Sequence, residues 1–294
     1  MCGISGYIGR EIIDPKVIKK TLLLMKNRGP DANGSCNFFD KKTKINVNLL
    51  HTRLGIIDLD KRSNQPYTDG DLTLIYNGEI YNYLELKKKI ENKVNFKTKS
   101  DTEVILHYFK LYGSKCFDYF EGMWSLAIWD NKKKNLLLSR DRFSEKPLYI
   151  FQNRKGLYFG SEIKYLKSLA QKKFKINEGH LVRYLFQGYK SLYKYDSTFY
   201  ENIENFPNAS YANIGKDLKI KYKKYWKLNF KPKKMNFEYA KKKVKKNILK
   251  KFKKKFRSDV PVAFCLSGGI DSNVITSVAK KINNLKPKTF SIID

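Results

Sequence analysis

Met1-Cys2-Gly3-Ile4-Ser5-Gly6-Tyr7-Ile8-Gly9-Arg10 opens the chain, and its second residue decides how the rest is read. Cys2 follows an initiator methionine, and a small second residue is what methionine removal requires. The product would carry a thiol and a free α-amine on one residue. A free thiol titrates at about 8.5 and an α-amine at about 7.7–8.0. The two values are close, so the amine can serve as the base for its own thiol, directly or through a water. No separate catalytic histidine is then needed, and the spacing of His51, His107 and His180 reveals no partner for Cys2. Taken alone, Cys2 is better explained as an incidental small residue.

Length and composition bound the answer. The 294 residues suit one large domain plus part of another. Hydrophobic residues make up 41% and aromatics 14%, enough for packed cores. No run approaches the roughly 20 apolar residues of a membrane span. The N-terminus has no basic stretch followed by an apolar one, so no secretory signal is expected. Nothing hydrophobic precedes Cys2, which sets aside a lipoprotein cysteine. A cytoplasmic enzyme with no membrane partner is the expectation. Cys2, Cys36, Cys116 and Cys265 form no CxxC pair, which argues against a zinc site or a disulfide framework. The formal charge of +32 invites a nucleic-acid reading. The lysines are spread widely, however, and accompany much Asn, Ile, Tyr and Phe. That mixture resembles compositional drift in an AT-rich genome, and no nucleic-acid partner is expected.

Residues 14–27 read as a helix, with Asp14 as cap, Pro15 in the first turn and Val17, Ile18, Leu22 and Met25 as its apolar face. The turn Arg28-Gly29-Pro30-Asp31 stops it. Short β-like runs follow at 36–39, 45–50, 54–59 and 72–76, then helices at about 80–90 and 101–112. Further strands are expected at 123–129, 136–139, 148–151 and 157–159, with a hairpin turn at 131–134. Strands and helices in separate runs indicate an α+β layered domain. The polar stretch 213–235 is the expected linker between a domain at 2–212 and a second at 236–294. In the latter, Phe237, Ala240, Val244, Ile248, Leu249, Phe252 and Phe256 recur at helical spacing. The lysines between them make a solvated face. Residues 260–266 read as a buried strand, a helix begins near 273, and 289–293 read as β-like.

Several short motifs have ordinary explanations one by one. Arg53 could be a surface ion-pair partner, Asn77-Gly78 a turn, and Ser100-Asp101-Thr102-Glu103 a capping box. Their order along the chain is more informative. Cys2-Gly3-Ile4, Arg28-Gly29-Pro30-Asp31, Arg53-Leu54, Asn77-Gly78-Glu79-Ile80-Tyr81-Asn82, Ser100-Asp101-Thr102-Glu103, Gly122-Met123 and Arg140-Asp141-Arg142 follow one another. This array resembles the class II glutamine amidotransferase domain, an N-terminal-nucleophile hydrolase, and most nearly that of the glutamine-dependent asparagine synthetases. The resemblance covers essentially the whole chain. It implies a four-layer αββα sandwich of two antiparallel sheets. It further implies that Cys2 attacks the side-chain amide of glutamine and forms a thioester. Asn77 and the Gly78 N–H would form the oxyanion hole, Arg53 would hold the α-carboxylate, and Glu79 and Asp101 the α-ammonium. Backbone groups near Ile56 and Ile57 would complete the pocket. The charges suit a zwitterion in their own right, with one cation and two anions. Two departures stand out. Asn27 replaces a histidine frequent before the Arg-Gly-Pro-Asp turn. Ser144 in Arg142-Phe143-Ser144-Glu145-Lys146-Pro147 stands where glycine is common.

Ser267-Gly268-Gly269-Ile270-Asp271-Ser272 lies between the expected strand and helix. Glycines let backbone N–H groups approach an anion, and a helix N-terminus adds partial positive charge. A tight turn with Asp271 or Ser272 as cap is the ordinary explanation. After an amidotransferase domain, the loop resembles the pyrophosphate loop of ATP pyrophosphatases. That implies an α/β domain in which Ser267, Gly268, Gly269, Asp271 and Ser272 hold pyrophosphate. Asp271 would help to place Mg²⁺, and Leu266 and Ile292 backbone groups would contact adenine. The combined expectation is that ammonia from glutamine aminates an ATP-activated aspartate, giving asparagine, AMP and pyrophosphate. A relative acting on another carboxylate, such as a sugar acid of surface polysaccharides, is the alternative. A basic nucleic-acid-binding protein is the alternative from another class. A homodimer is compatible with the sequence. The second domain is expected to be truncated, so that this chain hydrolyses glutamine but does not itself make asparagine.

Overall fold

The computed structural model describes residues 1–192, 195–283 and 287–292. They divide into two compact units. One comprises Met1–Gly55 and Asp60–Lys227, the other Ile56–Leu59 and Leu228–Asp294.

The first unit holds twelve strands among the described residues. They are β1 (Gly3–Gly9), β2 (Ala32–Asp40), β3 (Ile45–Arg53), β4 (Tyr67–Asp69), β5 (Leu72–Ile80), β6 (Gly122–Asp130), β7 (Asn135–Arg140), β8 (Tyr149–Asn153), β9 (Gly156–Gly160), β10 (Ile203–Asn205), β11 (Ser210–Ile214) and β12 (Lys221–Lys224). Its helices are α1 (Pro15–Met25), α2 (Tyr83–Ile90), α3 (Asp101–Tyr112), α4 (Ile163–Leu169) and α5 (Glu178–Gln187). One sheet runs β10-β8-β9-β1-β3-β2 and the other β12-β11-β7-β6-β5-β4. The strand pairs of both sheets are antiparallel.

Alternation along the strands assigns each face. Ile4, Ile8, Val47 and Leu49 of the first sheet pack with Ile75, Ala127, Trp129, Leu136 and Leu138 of the second. Tyr7 and Leu50 point the other way, onto Met25 of α1 and Leu166 and Leu169 of α4. Helices α2 and α3 pack on each other, and α3 on β5. The result is the four-layer αββα sandwich of an α+β domain.

Three local differences from the sequence reading have physical reasons. Strand β1 is hidden by Gly3, Gly6 and Gly9, poor strand formers. Yet a Cβ on Gly6 would lie 2.4 Å from the Phe159 ring and 2.5 Å from Asn48 O, so the close neighbours require glycine. Residues 54–59 form no strand. The Leu54 N–H instead reaches Cys2 Sγ at 3.3 Å and the Gly55 N–H reaches Asp31 Oδ2 at 2.7 Å. The stretch 213–235 is not wholly a linker, because β12 pairs with β11 and the first unit continues to Lys227. All four residues of β12 are exposed, and the lysines that gave the linker reading are those of a charged sheet edge.

The second unit contains α6 (Phe237–Lys255), β13 (Ala263–Cys265), α7 (Ile270–Asn283) and β14 (Lys288–Phe290). β13 and β14 pair in parallel, the beginning of an α/β arrangement. The helix expected from the apolar spacing is present as α6, capped by the Asn236 side chain, yet none of its residues is buried. β13 is largely exposed, where a buried strand was expected. Ile293 and Asp294, at the end of the expected last strand, lie outside the described residues.

Candidate active site

Four separate segments meet at one end of the sandwich. Cys2 precedes β1 and shares the alternation of Ile4 and Ile8, whose side chains lie between the sheets. Arg53 ends β3 and shares the alternation of Val47 and Leu49, while Asn77 and Glu79 continue that of Ile75 in β5. All four therefore fall on inner faces of the two sheets. His51 Nε2 lies 3.2 Å from Tyr76 O and links β3 to β5 beside this end. Complete burial depresses the His51 imidazole to about 3, so it stays neutral.

Cys2 is held by three contacts at two of its atoms. Its Sγ accepts the Leu54 N–H at 3.3 Å and lies 3.5 Å from Leu54 O, and its carbonyl accepts from Arg28 Nε at 3.0 Å. Arg28 is fixed in turn by Glu162 at 3.2 Å. Asp31 of the same turn accepts the Gly55 N–H. The Arg-Gly-Pro-Asp turn is thus a bracket for Cys2 and for the loop after β3. Its glycine is sterically required, since a Cβ on Gly29 would lie 2.3 Å from the Thr52 carbonyl carbon. Burial raises the Cys2 thiol above its ordinary range, while the Leu54 N–H and the N-terminal amine draw it down. Burial also lowers the N-terminal amine. The amine lowered here is that of Met1, so both groups at this end are driven toward their neutral forms while Met1 is still in place.

Asn77 is 1% exposed, and among the described residues its Nδ2 has no hydrogen-bond partner. A buried amide donor left unpaired costs on the order of 1–3 kcal/mol unless something else uses it. Gly78 follows, and a Cβ there would lie 2.1 Å from Met123 O, so β6 itself requires the glycine. Arg53 is 7% exposed, with Nη1 donating to Asp60 O at 3.0 Å and Asn64 Oδ1 at 2.7 Å. Those contacts hold the guanidinium against the 60–64 segment.

Burial pushes both Glu79 and Asp101 up. Glu79 rises to about 9 through burial first and Asp101 second, partly offset by Lys146. Asp101 rises through burial, against hydrogen bonds from the Ile80 N–H and Tyr76 hydroxyl, each 3.0 Å from Oδ2. These bonds fasten the start of α3 to β5. Ser100 caps α3 by accepting the Thr102 N–H at 3.1 Å. Glu103 does not close a capping box. It accepts instead from the Lys97 and Thr98 N–H groups at 2.8 and 2.7 Å.

Sequence reasoning placed Arg140-Asp141-Arg142 in the motif array without a role. Asp141 is fully buried and its carboxylate accepts four N–H groups: Trp124 at 3.2 Å, Phe143 at 3.0 Å, Glu145 and Lys146 at 2.9 Å. Arg140 holds Lys146 O at 2.7 Å and Ser144 O at 3.2 Å. The pair folds residues 141–146 into a fixed loop. Ser144 takes a φ of +57°, the left-handed region that glycine enters without strain. Glycine at the corresponding place would fit this backbone better.

In the second unit, Gly268 has a φ of +78° and the loop 267–272 leads into α7. Ser272 Oγ lies 3.2 Å from Ser267 Oγ and donates to Gly269 O at 3.0 Å; Ser267 and Asp271 are exposed and Ser272 is half-buried. The Leu266 N–H donates to Phe290 O at 2.8 Å, and Leu266 O accepts from Ser291 Oγ at 2.7 Å. Ile292 is 97% exposed. Ile56 and Ile57 group with this unit, where Ile56 O accepts the Asp259 N–H at 2.9 Å. The structure thus brings Cys2, Arg53, Asn77, Gly78, Glu79 and Asp101 together around one end of the sandwich. The nucleotide set stands separately in the second unit.

A family model described as a glutamine amidotransferase domain matches residues 1–226. The chain belongs to this amidotransferase family. A second model, described as asparagine synthase, matches residues 243–293. A relative from Methanocaldococcus jannaschii is 36% identical over 322 residues, covering 99% of this chain and 59% of its own. Asparagine synthetase [glutamine-hydrolyzing] 1 of Bacillus subtilis is 36% identical over 301 residues, covering 99% of this chain and 46% of its own. The chain spans about half the length of these curated relatives. The solved structure of glutamine phosphoribosylpyrophosphate amidotransferase from B. subtilis superposes with a TM-score of 0.57 at 16% identity, covering 99% of this chain and 65% of that one. That likeness concerns the amidotransferase fold. Among the described residues, no helix is long and apolar enough to cross a membrane.

Proposed function

We propose that the amidotransferase domain hydrolyses glutamine with Cys2 as nucleophile, and that the ammonia serves asparagine synthesis in the second domain. The observation that carries the first part is the unpaired, buried Asn77 amide at the end of the sandwich where Cys2 is held. After Met1 is removed, the Cys2 amine takes the thiol proton as sulfur attacks the glutamine side-chain carbonyl. The tetrahedral oxyanion is met by Asn77 Nδ2 and the Gly78 N–H. The amine returns the proton to the leaving nitrogen, which departs as ammonia and leaves a thioester. Water, deprotonated by the same amine, releases glutamate. Arg53 holds the α-carboxylate, and Glu79 and Asp101 hold the α-ammonium. The bound ammonium would draw both raised carboxyls toward the charged form.

For the second half, the match to asparagine synthase over residues 243–293 supports an aspartate acceptor activated by ATP. Ser267, Gly268, Gly269, Asp271 and Ser272 would hold pyrophosphate, with Leu266 and Ile292 flanking adenine. The serine hydroxyls and the start of α7 suit that anion. Among the described residues, no cluster of three or more His, Cys, Asp or Glu is present. Asp271 would help to place Mg²⁺ at the nucleotide. A cytoplasmic homodimer without nucleic-acid partners belongs to the same reading.

The test is to follow glutamate, AMP and pyrophosphate together with glutamine, ATP, Mg²⁺ and aspartate present. Glutamate release lost in Cys2→Ala supports the first half, and release that survives this change overturns it. For the second half, the full-length protein should form AMP only when aspartate is supplied. A sugar acid that replaces aspartate in that assay would move the assignment to another amidotransferase.

A further inference from the structure

Lys146 carries an unusual combination of features. The residue is 6% exposed, and lysine is almost never buried unless paired. Both of its backbone groups are pinned, the N–H by Asp141 Oδ2 at 2.9 Å and the carbonyl by Arg140 Nε at 2.7 Å. Its ammonium reaches Met1 Sδ at 3.3 Å. Among the described residues, no carboxylate stands within ion-pairing distance of it. A thioether is a weak acceptor, and the glutaminase reading removes Met1. Maturation would thus leave a rigidly mounted cation next to the new N-terminus.

We propose that Lys146 is a positioning residue of the glutaminase: once Met1 is gone, its ammonium stands beside the Cys2 α-amine and holds that amine in the unprotonated form that accepts the thiol proton. The inference rests on the glutaminase reading and deepens it. With Met1 in place, its amine is lowered first by burial, then raised by Cys2, lowered by Arg28 and Lys146 and raised by Asp31; the Cys2 amine, one residue along, inherits these neighbours once Met1 is gone. Glu79, Asp141, Arg28 and Cys2 act on Lys146 itself. Arg28 is already paired with Glu162, which offsets much of its charge. Lys146 makes no ion pair among the described residues, although the Glu79 and Asp141 charges act on it, and it adds to Arg28 in opposing a positive charge at the N-terminus. A nearby cation disfavours a second positive charge. Neutralising Lys146 therefore raises the amine's pKa, and activity is lost at a higher pH on the acid side.

The experiment uses the chain with Met1 removal verified by intact mass. The pH dependence of kcat for glutamate release is recorded for wild type, K146M, K146Q and K146R. In kcat the substrate is bound and Glu79 faces its ammonium, so the acid limb reports the amine. The neutral variants should shift this limb upward by on the order of one pH unit, the scale of a unit charge nearby at intermediate dielectric. K146R should retain the wild-type limb. The same upward shift should persist in an E79Q background. A lower plateau with an unmoved limb overturns the proposal, as does a shift that vanishes with E79Q. K146Q supplies a second neutral variant should K146M misfold or retain Met1. Wild type that lacks Met1 and releases no glutamate defeats the glutaminase reading and this inference together. An active wild type with an unmoved limb defeats only the assignment of Lys146.

Discussion

Trp124 and Trp129 of the first unit are at most 1% exposed, whereas Phe237, Val244 and Ile270 of the second are 77%, 56% and 82% exposed. Between α6 and α7 runs an apolar groove of about 820 Å³, lined by residues such as Phe237, Val244, Ile248 and Val274. Among the described residues from 228 onward, Ala279 alone is buried. The two candidate sites differ in the same way. The amidotransferase site is gathered from four segments, and it exists because two sheets close on each other. The candidate phosphate loop is six consecutive residues, three before α7 and three in its first turn, with Gly268 in the left-handed region. A non-local site depends on its core, while a contiguous loop keeps its shape in the open.

The largest contrast should come from one carboxylate in each unit. Asp141→Ala strands four N–H groups, those of Trp124 and Lys146 in buried bonds, and should cost roughly 3–5 kcal/mol. In thermal unfolding that is a fall on the order of 10 °C. Asp271→Ala, at an exposed loop, should stay within about 0.5 kcal/mol. Equal losses in the two variants would erase the distinction between the units.

Next comes Asn77→Ala, which should lower kcat by about 10²–10³, the usual cost of one oxyanion donor. Its Nδ2 makes no bond among the described residues, so calorimetry should find the melting temperature nearly unchanged. A variant that loses stability and keeps its kcat would return Asn77 to a structural role.

Glu79 gives a pH signature confined to the first unit. Its carboxyl is raised to about 9, chiefly by burial, against an ordinary value near 4.3. The folded state therefore binds more protons than the unfolded state between these values, so stability falls as pH rises through that window. Glu79→Gln should flatten this slope. Glutamine binding near pH 7 should release a proton as its ammonium ionises Glu79, and the variant should not. Calorimetric titration in buffers of different ionisation enthalpy measures this. Equal proton release from both proteins would remove Glu79 from the ammonium site.

The smallest effect concerns Ser144. Ser144→Gly relieves a left-handed backbone at the cost of a more flexible unfolded chain. The net gain should be at most about 1 kcal/mol, or a few degrees in melting temperature. A loss of stability would mean that the Ser144 side chain contributes more than its strain costs.

Much of this was legible in the sequence, for identifiable reasons. Helix α3 carries its own cap in Ser100, and β6 and β7 announce their hairpin through the lysine turn between them. Strand β1 did not show, because three glycines demanded by neighbours such as Phe159 and Asn48 erase strand propensity. Strand β12 read as linker because an edge strand is charged for reasons unrelated to its pairing. In the site, the charges on Arg53, Glu79 and Asp101 suggested a zwitterion, and the motif array supplied their order. The roles of Asp141 and Lys146 were not visible. Both act through hydrogen bonds and burial fixed by partners such as Trp124 and Met1, which no local pattern reports.

The four cysteines allow a decisive measurement. Cys265 is exposed, Cys2 and Cys36 are partly buried, and Cys116 is buried. Burial pushes the Cys36 thiol up to about 12 and the Cys116 thiol higher still. A reagent that selects only by exposure should mark Cys265 in the second unit. An electrophilic glutamine analogue selects by the amidotransferase pocket instead. Peptide mass spectrometry after its use should find Met1 absent and a single adduct on Cys2, with Cys265 unmodified and glutamate release abolished. An adduct on Cys265 with Cys2 untouched, or full inhibition of a protein that retains Met1, would contradict Cys2 as the N-terminal nucleophile.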